Sequence, residues 1–202
     1  MNKAILLYRF LSAEGAIKTI EGRAFRVSRL LELNDPFEWS AGVEGLEKLP
    51  PEKAELVNLD QESFLKQLNE RFGIICSSAT FRDPVLWSHY TDSHRGLAIE
   101  VSHDLDESLH KVEYTDDRPT IHLAWAQNPA AYAAELREIF LAFFKRKSLG
   151  WSYEKEYRGV AELASCAVAG GDVFQEDSRG PCHAYNHRAS LGGESVLCPP
   201  CA

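Results

Sequence analysis

The segment best suited to acid–base chemistry is Glu154-Lys155-Glu156, which is followed by Tyr157 and Arg158. On an extended chain, side chains two positions apart point to the same side, so the two carboxylates are expected to lie together. Carboxylates at such short range tend to raise the pKa of one partner, which suits proton transfer. The alternative interpretation is a charged turn in solvent. Glu154 and Glu156 are therefore candidate catalytic residues.

A second cluster combines histidines with aromatic residues: Trp87, His89 and Tyr90 are followed by His94. Histidine changes its protonation state near neutral pH and so serves as an acid or a base. The two histidines do not predict a metal site, because the nearby sequence supplies no third ligand. The alternative is a histidine that packs beside a tryptophan. His89 is a candidate catalytic residue, and Tyr90 is a candidate ligand contact.

Two predicted strand ends carry further polar residues. Tyr8 and Arg9 end the first apolar run, and Ser77 and Ser78 end another. A guanidinium group binds phosphate through paired hydrogen bonds, so Arg9 is suited to an anionic ligand such as a diphosphate. The alternative for Arg9 is a solvent-facing side chain on an edge strand.

These residues lie on or beside predicted secondary structure. Alternating or continuous apolar runs predict strands, and apolar residues three and four apart predict helices. Strands and helices mix without strict alternation, which favours the α+β class, with a mixed or antiparallel sheet and flanking helices. Strands are predicted at 4–8, 24–28, 73–78, 96–101, 111–115 and 159–163, and helices begin near Ser12, Gln61, Asp83 and Asn128.

The composition predicts a globular chain with a buried core, because hydrophobic residues make up 45% of its 202 residues. The sequence has no apolar run of about 18 residues, the length of a membrane-spanning helix. No membrane partner is therefore expected. The formal net charge of −8 is unfavourable for non-specific binding of nucleic acid.

Residues 1–163 are predicted to form the single α+β domain, and residues 164–202 an irregular tail rich in Gly, Ser, Pro, His and Cys. Four of the five cysteines lie after position 165, so the body has no predicted disulfide framework. That pattern is typical of cytoplasmic proteins. The tail also offers a weak zinc motif, for which a flexible tail without metal is the favoured alternative. The residues concerned are Cys182, His183, His187, Cys198 and Cys201.

Four segments occur in an order that resembles the bacterial family named domain of unknown function 2971. They are Leu-Tyr-Arg-Phe at 7–10, Asn-Asp-Pro-Phe-Glu at 34–38, Trp-Ser-His-Tyr at 87–90 and Trp-Ser-Tyr-Glu-Lys-Glu-Tyr-Arg at 151–158. The resemblance covers residues 5–163 and implies no established activity. Position 9 is Arg where His or Lys would fit the family equally well, and the tail lacks the helix and strand that the family implies.

The order of Arg9, Ser77-Ser78 and Glu154/Glu156 is similar, more distantly, to the ADP-ribosyltransferase superfamily. This resemblance implies NAD as a substrate. Arg9 would hold a phosphate or ribose of NAD, and Ser77 would support the nicotinamide ribose. One glutamate would stabilise an oxocarbenium-like transition state or activate the acceptor.

The resulting hypothesis is an NAD-using, ADP-ribosyltransferase-like enzyme of bacterial defence or toxin systems, with Tyr8, Ser78 and Tyr90 among its nucleotide contacts. Its acceptor, a protein or a nucleic acid, is left open. The alternative is a non-enzymatic binding or defence-associated module. A hydrolase that uses His89 with carboxylates is a third interpretation, weakened by the missing metal ligands. The enzyme hypothesis requires the candidate side chains to converge on one cleft.

Overall fold

The computed structural model contains two compact units. It confirms the predicted α+β class, and its main sheet is mostly antiparallel. One unit comprises Met1–Ser28, Gly73–Lys111 and Tyr153–Ala202, and the other comprises Arg29–Phe72 and Val112–Ser152. The assignment of residues 1–163 to a single domain stays a prediction. The structure describes residues 4–35, 38–39, 42–44, 51, 62–63, 65–104, 109–117, 120–122, 140–169, 172–176, 183–185 and 196–197.

The described strands number fourteen, and ten of them form one sheet in the first unit. In chain order the strands are β1 Ala4–Leu11, β2 Ala24–Arg29, β3 Gly42–Glu44, β4 Phe72–Ser78, β5 Leu97–Asp104, β6 Leu109–Lys111, β7 Glu113–Tyr114, β8 Thr120–His122, β9 Arg146–Lys147, β10 Glu156–Glu162, β11 Ala167–Ala169, β12 Asp172–Glu176, β13 His183–Tyr185 and β14 Val196–Leu197. The sheet order is β11-β12-β2-β4-β1-β5-β13-β14, and β10 pairs with β4 and β6.

Strand β1 lies inside this sheet, antiparallel to β4 and β5. Tyr8 is opposite Ser78 on one side and Glu100 on the other. Interior strands carry apolar residues where they face a core, and Leu7 is fully buried. Tyr8 and Arg9 therefore lie on an interior strand of the sheet, not on an exposed edge.

Two helices of the first unit begin where their caps predict. The helix α1 spans Ala13–Gly22, and the Ser12 hydroxyl accepts a hydrogen bond from the Gly15 amide at 3.1 Å. The helix α2 spans Pro84–Tyr90, and the Asp83 carboxylate accepts from the Val85 amide at 2.9 Å. Proline in the first turn loses no intrahelical hydrogen bond, so this start is well specified.

Helix α2 is held against β1 by the buried Trp87. Its indole ring packs edge-on against Phe10, with ring centres 5.3 Å apart, and its Nε1 donates to the Phe81 carbonyl at 2.6 Å. A buried tryptophan normally finds such an acceptor for its N–H group. Trp87 therefore fixes both the helix and the loop before it.

The turn from α2 to β5 is tightly wound. Residues 92–94 have positive φ angles of 51°, 56° and 65°, and the Gly96 amide donates to the Thr91 carbonyl at 2.8 Å. A side chain at Gly96 would place its Cβ only 1.9 Å from the Leu11 carbonyl oxygen. Glycine is needed here because the chain passes so close to the end of β1.

The segment predicted to be an irregular tail contributes four short strands within the described residues. Strand β12 pairs with β2, while β13 pairs with β5 and with β14. Strand β11 pairs with β12. These strands extend the sheet of the first unit on both sides.

The second unit contains two short parallel strand pairs, β3 with β8 and β7 with β9. Residues 65–71 and 140–145 are helical. Trp39 packs near Phe140 and Phe143, with ring centres 5.7 and 5.8 Å apart. The predicted turn residues Pro36 and Phe37 lie outside the described residues. Among the described residues, no helix is long and apolar enough to cross a membrane.

Candidate functional site

The candidate residues are distributed over both faces of the sheet. Successive residues of a strand point to opposite faces, so Tyr8 and Arg9 point apart, as do Ser77 and Ser78. Because Tyr8 is paired with Ser78, these two share one face. Arg9 and Ser77 lie on the other.

Arg9 is buried on its face by packing and by a backbone contact. Its guanidinium group lies over the Phe25 ring, 4.7 Å from the ring centre, and donates to the Arg26 carbonyl at 2.9 Å. Arg9 is therefore not a solvent-facing side chain on an edge strand, and its role in binding phosphate stays a prediction. Ser77 is also buried, and its hydroxyl has no hydrogen-bond partner among the described residues.

On the opposite face, the Ser78 hydroxyl contacts the backbone of the loop after β4 and of the loop before β10. Its hydroxyl lies 2.5 Å from the Glu154 carbonyl oxygen and 2.9 Å from that of Thr80, and it accepts from the Thr80 amide at 3.1 Å. One residue further along, the Ala79 amide donates to the Lys155 carbonyl at 3.0 Å. The loop after β4 is thus fastened to the loop before β10.

Tyr8 lies beside this junction. Its hydroxyl donates to the Glu100 carboxylate at 2.8 Å, and its ring lies 4.9 Å from that of Phe81. The strand register explains the first contact, since Tyr8 and Glu100 are direct neighbours on adjacent strands.

Glu154 is buried and accepts a hydrogen bond from the Tyr90 hydroxyl. Burial is the largest cause that raises the pKa of Tyr90, followed by the charge of Glu154, the hydrogen bond to it and the charge of Glu156. Tyr90 therefore stays protonated across the physiological range and acts as a hydrogen-bond donor. The helix α2 and the 3₁₀ turn Leu149–Glu154 bring the two residues together.

Glu156 has a different partner. It is the first residue of β10, and its carboxylate forms two hydrogen bonds with the Arg158 guanidinium group, at 2.8 and 2.9 Å. Both side chains are buried, Arg158 completely. This paired geometry is the strong form of a carboxylate–arginine contact.

The sequence suggested that the two glutamates lie on one extended segment, but the structure shows that they do not. Glu154 ends the 3₁₀ turn, Lys155 has a positive φ of 47°, and the strand begins at Glu156. The left-handed residue interrupts the extended backbone between the two glutamates, and each carboxylate has its own partner. The negative charges of both carboxylates nevertheless raise the pKa of the same residue, Tyr90.

His89 lies at the exposed end of helix α2. Its Nδ1 is 3.2 Å from the Tyr153 hydroxyl, and the two rings meet edge to face, with centres 6.2 Å apart. Tyr153 precedes Glu154 directly, so His89 borders the group formed by Tyr90 and Glu154.

One face of the sheet thus gathers six of the eight candidate side chains. We call this set the carboxylate site, and it comprises Tyr8, Ser78, His89, Tyr90, Glu154 and Glu156. Arg9 and Ser77 are excluded from it by strand alternation. The two residues point toward the Phe25 side.

Sequence reasoning did not single out three residues that contact the carboxylate site: Phe81, Tyr153 and Glu100. Phe81 and Tyr153 were detectable as aromatic residues next to polar candidates in the sequence. Glu100 was not, because its role depends on the pairing of β1 with β5.

Two described residues of the Asn-Asp-Pro-Phe-Glu segment, Asn34 and Glu38, contact a buried lysine of the second unit. Lys147 Nζ lies 3.4 Å from a Glu38 carboxylate oxygen and 3.2 Å from the Asn34 side-chain oxygen. It also lies 4.8 Å from the centre of the Trp151 ring. These contacts link two of the family-like segments within that unit.

No group of three or more His, Cys, Asp or Glu residues within the described part of the chain could hold a metal ion. Of the residues in the weak zinc motif, Cys182, His187, Cys198 and Cys201 lie outside the described residues. Cys76 and Cys166 are not in disulfide bonds.

Comparison with known proteins gives one finding. Residues 86–159 match the family model described as "Protein of unknown function (DUF2971)", so this stretch is similar to that family. The match begins within α2 and ends within β10, and it includes four of the six residues of the carboxylate site. No curated protein and no solved structure matches the chain.

Proposed function

We propose that the carboxylate site binds NAD and breaks the bond between nicotinamide and ribose, passing the ADP-ribosyl group to an acceptor. The observation that carries this proposal is the buried Glu154 carboxylate, fixed by the neutral Tyr90 hydroxyl and bordered by aromatic rings. A carboxylate held in place before the reaction lowers the free energy of a cationic transition state.

The proposed reaction separates charge in a way that suits this site. When the C1′–N bond breaks, its electron pair goes to nicotinamide, and positive charge develops on the ribose. Glu154 stabilises that charge, as carboxylates do in glycoside cleavage. The acceptor oxygen or nitrogen then bonds to C1′, and its proton passes to Glu154.

Glu154 is preferred over Glu156 because of their partners. The guanidinium group of Arg158 already neutralises Glu156 through two hydrogen bonds. Tyr90 is uncharged, so the negative charge of Glu154 is not cancelled by this contact. We therefore assign the chemical step to Glu154 and a supporting role to Glu156. Arg9 and Ser77, on the other face, take no part in this proposal.

The test is release of nicotinamide from NAD by the purified chain, with water and candidate acceptor proteins or nucleic acids. Replacing Glu154 by Gln keeps the size of the side chain, and we expect turnover to fall by about 10²–10³-fold. Tyr90→Phe should also lower turnover, because it removes the hydrogen bond that positions the carboxylate. Glu162→Gln is the matched control, since Glu162 is an exposed carboxylate at the far end of the following strand, β10.

Folding of each variant is checked by cooperative denaturation. A folded wild-type chain that neither binds NAD nor releases nicotinamide with any acceptor would overturn the enzyme proposal. Equal turnover in E154Q and E162Q would show that Glu154 does not take part in the reaction.

A non-enzymatic binding module is the second candidate, and one observation favours it. Tyr8, Ser78 and Glu156 are each hydrogen-bonded within the protein, as in a rigid recognition surface. Such a module would bind a nucleotide without releasing nicotinamide. We further propose that similarity to the DUF2971 family extends over residues 5–163 and that the protein is cytoplasmic and bacterial.

A further inference from the structure

We infer that Arg82 and Lys155 form an anion-binding edge of the carboxylate site and hold the diphosphate of its nucleotide. The identity of that nucleotide as NAD rests on the proposed function. The anion site itself is argued from the two side chains and from the loops that carry them.

The first observation concerns Arg82. Its guanidinium group lies over the Phe81 ring, 5.6 Å from the ring centre, and Phe81 in turn packs on Tyr8. Its side chain forms no ion pair or hydrogen bond with any residue that the structure describes. Stacking on an aromatic face holds a guanidinium group while leaving its N–H groups directed outward.

Other arginines of the same unit differ from Arg82 in this respect. Arg158 is bonded to Glu156, and the exposed Arg95 pairs with Asp92 at 2.7 Å. The neighbouring Asp83 carboxylate caps helix α2 by accepting from the Val85 amide. Arg82 thus presents a charge that its described surroundings do not neutralise.

Lys155 supplies the second positive charge. It is exposed, its backbone has the positive φ of 47°, and it stands between Glu154 and Glu156 in the chain. Within the described part of the protein its ammonium group forms no ion pair or hydrogen bond. The left-handed backbone turns both flanking carboxylates into the protein and leaves the lysine outside.

The loops that carry the two cations are joined by hydrogen bonds. The Ala79 amide donates to the Lys155 carbonyl at 3.0 Å, and the Ser78 hydroxyl contacts both Glu154 and Thr80. The Arg82 amide donates to the Thr80 hydroxyl at 3.2 Å. Both cations are therefore carried by backbone that is already ordered, which lowers the entropic cost of binding.

The acidic character of the chain means that an anionic ligand needs local positive charge to bind. The protein has a formal net charge of −8, and the carboxylate site itself holds two buried glutamates. A ligand with two phosphates would be repelled unless cations stood where the phosphates lie. Arg82 and Lys155 are exposed and would supply that positive charge, whereas Glu154 and Glu156 are buried.

The experiment measures binding of inorganic pyrophosphate and, separately, of NAD by calorimetric titration of the full chain. We expect Arg82→Ala to raise the Kd for both ligands about tenfold or more, the loss typical of a charge-assisted hydrogen bond. Arg82→Lys should recover part of the affinity, because it restores charge without the paired geometry. Lys155→Gln should act in the same direction as Arg82→Ala.

The matched control is Arg95→Ala, which removes an exposed arginine that already has a carboxylate partner. It should leave both Kd values unchanged. Pyrophosphate binding that R82A weakens and R95A does not would support the anion site even if NAD fails to bind, in which case only the NAD proposal falls. NAD binding that is equal in wild type and R82A would overturn the anion site and leave the NAD proposal standing. Failure of both ligands to bind would overturn both.

Discussion

The ion pair between Glu156 and Arg158 is the strongest constraint among single residues of the site. Removing two charges from water costs several kcal/mol per ion, and the cost is offset only when geometry and hydrogen bonding are good. Here the two groups meet through two hydrogen bonds, and Arg158 is 0% exposed. The pair therefore acts as a unit, and loss of either member leaves a buried charge without its partner.

We expect Glu156→Gln to destabilise the fold by about 3 kcal/mol, because the Arg158 charge would stay buried without a carboxylate. Chemical denaturation measures this change in the free energy of unfolding. From the sequence alone Glu156 is a candidate catalytic residue, whereas the structure gives it a buried arginine partner.

Two comparisons make the measurement informative. Glu162→Gln, on the exposed part of the same strand, should change stability by less than about 0.5 kcal/mol. Replacing both residues, as in E156Q combined with R158M, should restore part of the loss, since no lone charge remains. A neutral E156Q variant would contradict the structural role of the pair.

At the scale of elements, the helix starts and several strands of the sheet were predictable from local sequence. Caps and apolar runs are local signals, and they located α1, α2, β1, β2 and β4. The buried face of α1 was not predictable: Ala16 and Thr19 are buried, whereas Ile17 and Ile20 are exposed. Which face a short helix buries depends on its neighbours, and the neighbours are set by tertiary structure.

Strand β10 shows the same limit with a consequence for the site. The sequence placed its start at Gly159, but the strand begins at Glu156. Tyr157 and Arg158 pair with Lys111 and His110 of β6, and that pairing extends the strand. Glu156 is therefore in the strand, whereas Glu154 is in the 3₁₀ turn before it. No local sequence pattern predicts this difference between the two glutamates.

The close approach at Gly96 gives a prediction for the turn between α2 and β5. Gly96→Ala should destabilise by about 3 kcal/mol, since its Cβ would lie 1.9 Å from the Leu11 carbonyl oxygen and the backbone would have to move. Thermal and chemical denaturation test it. Gly22→Ala is the control, because no atom lies within 4 Å of its added Cβ. Equal effects of the two replacements would show that the approach is not limiting.

At the scale of the whole molecule, the antiparallel sheet and the α+β class were within reach of the sequence, but the partners of the outer strands were not. Residues after 163 carry no long periodic pattern, and they still pair with β2 and β5. Strand pairing of this kind satisfies backbone groups and needs little from the side chains. Composition therefore gave no indication of it.

A chain that ends at Leu163 is expected to unfold cooperatively but to self-associate. Without β12 and β13, the backbone groups of β2 and β5 that they pair with would be exposed, and exposed strand edges template pairing between molecules. Size-exclusion chromatography with light scattering measures the association state. A chain that ends at residue 186 retains both strands and is the control. If both chains are monomeric at the same concentration, the outer strands are not needed to cover these edges.

The interior position of β1 also affects how the protein is made. Its partners β4 and β5 follow it in the chain, with β4 beginning at Phe72. At the usual rate of synthesis, roughly 3–12 s pass between completion of Leu11 and the addition of Phe72, where the first partner strand begins. Throughout that interval the apolar segment that forms β1 lacks the strands with which it pairs. We therefore expect the nascent chain to bind a chaperone at this stage. Ribosome-bound chains that stop before residue 104 should be far more sensitive to protease than longer ones.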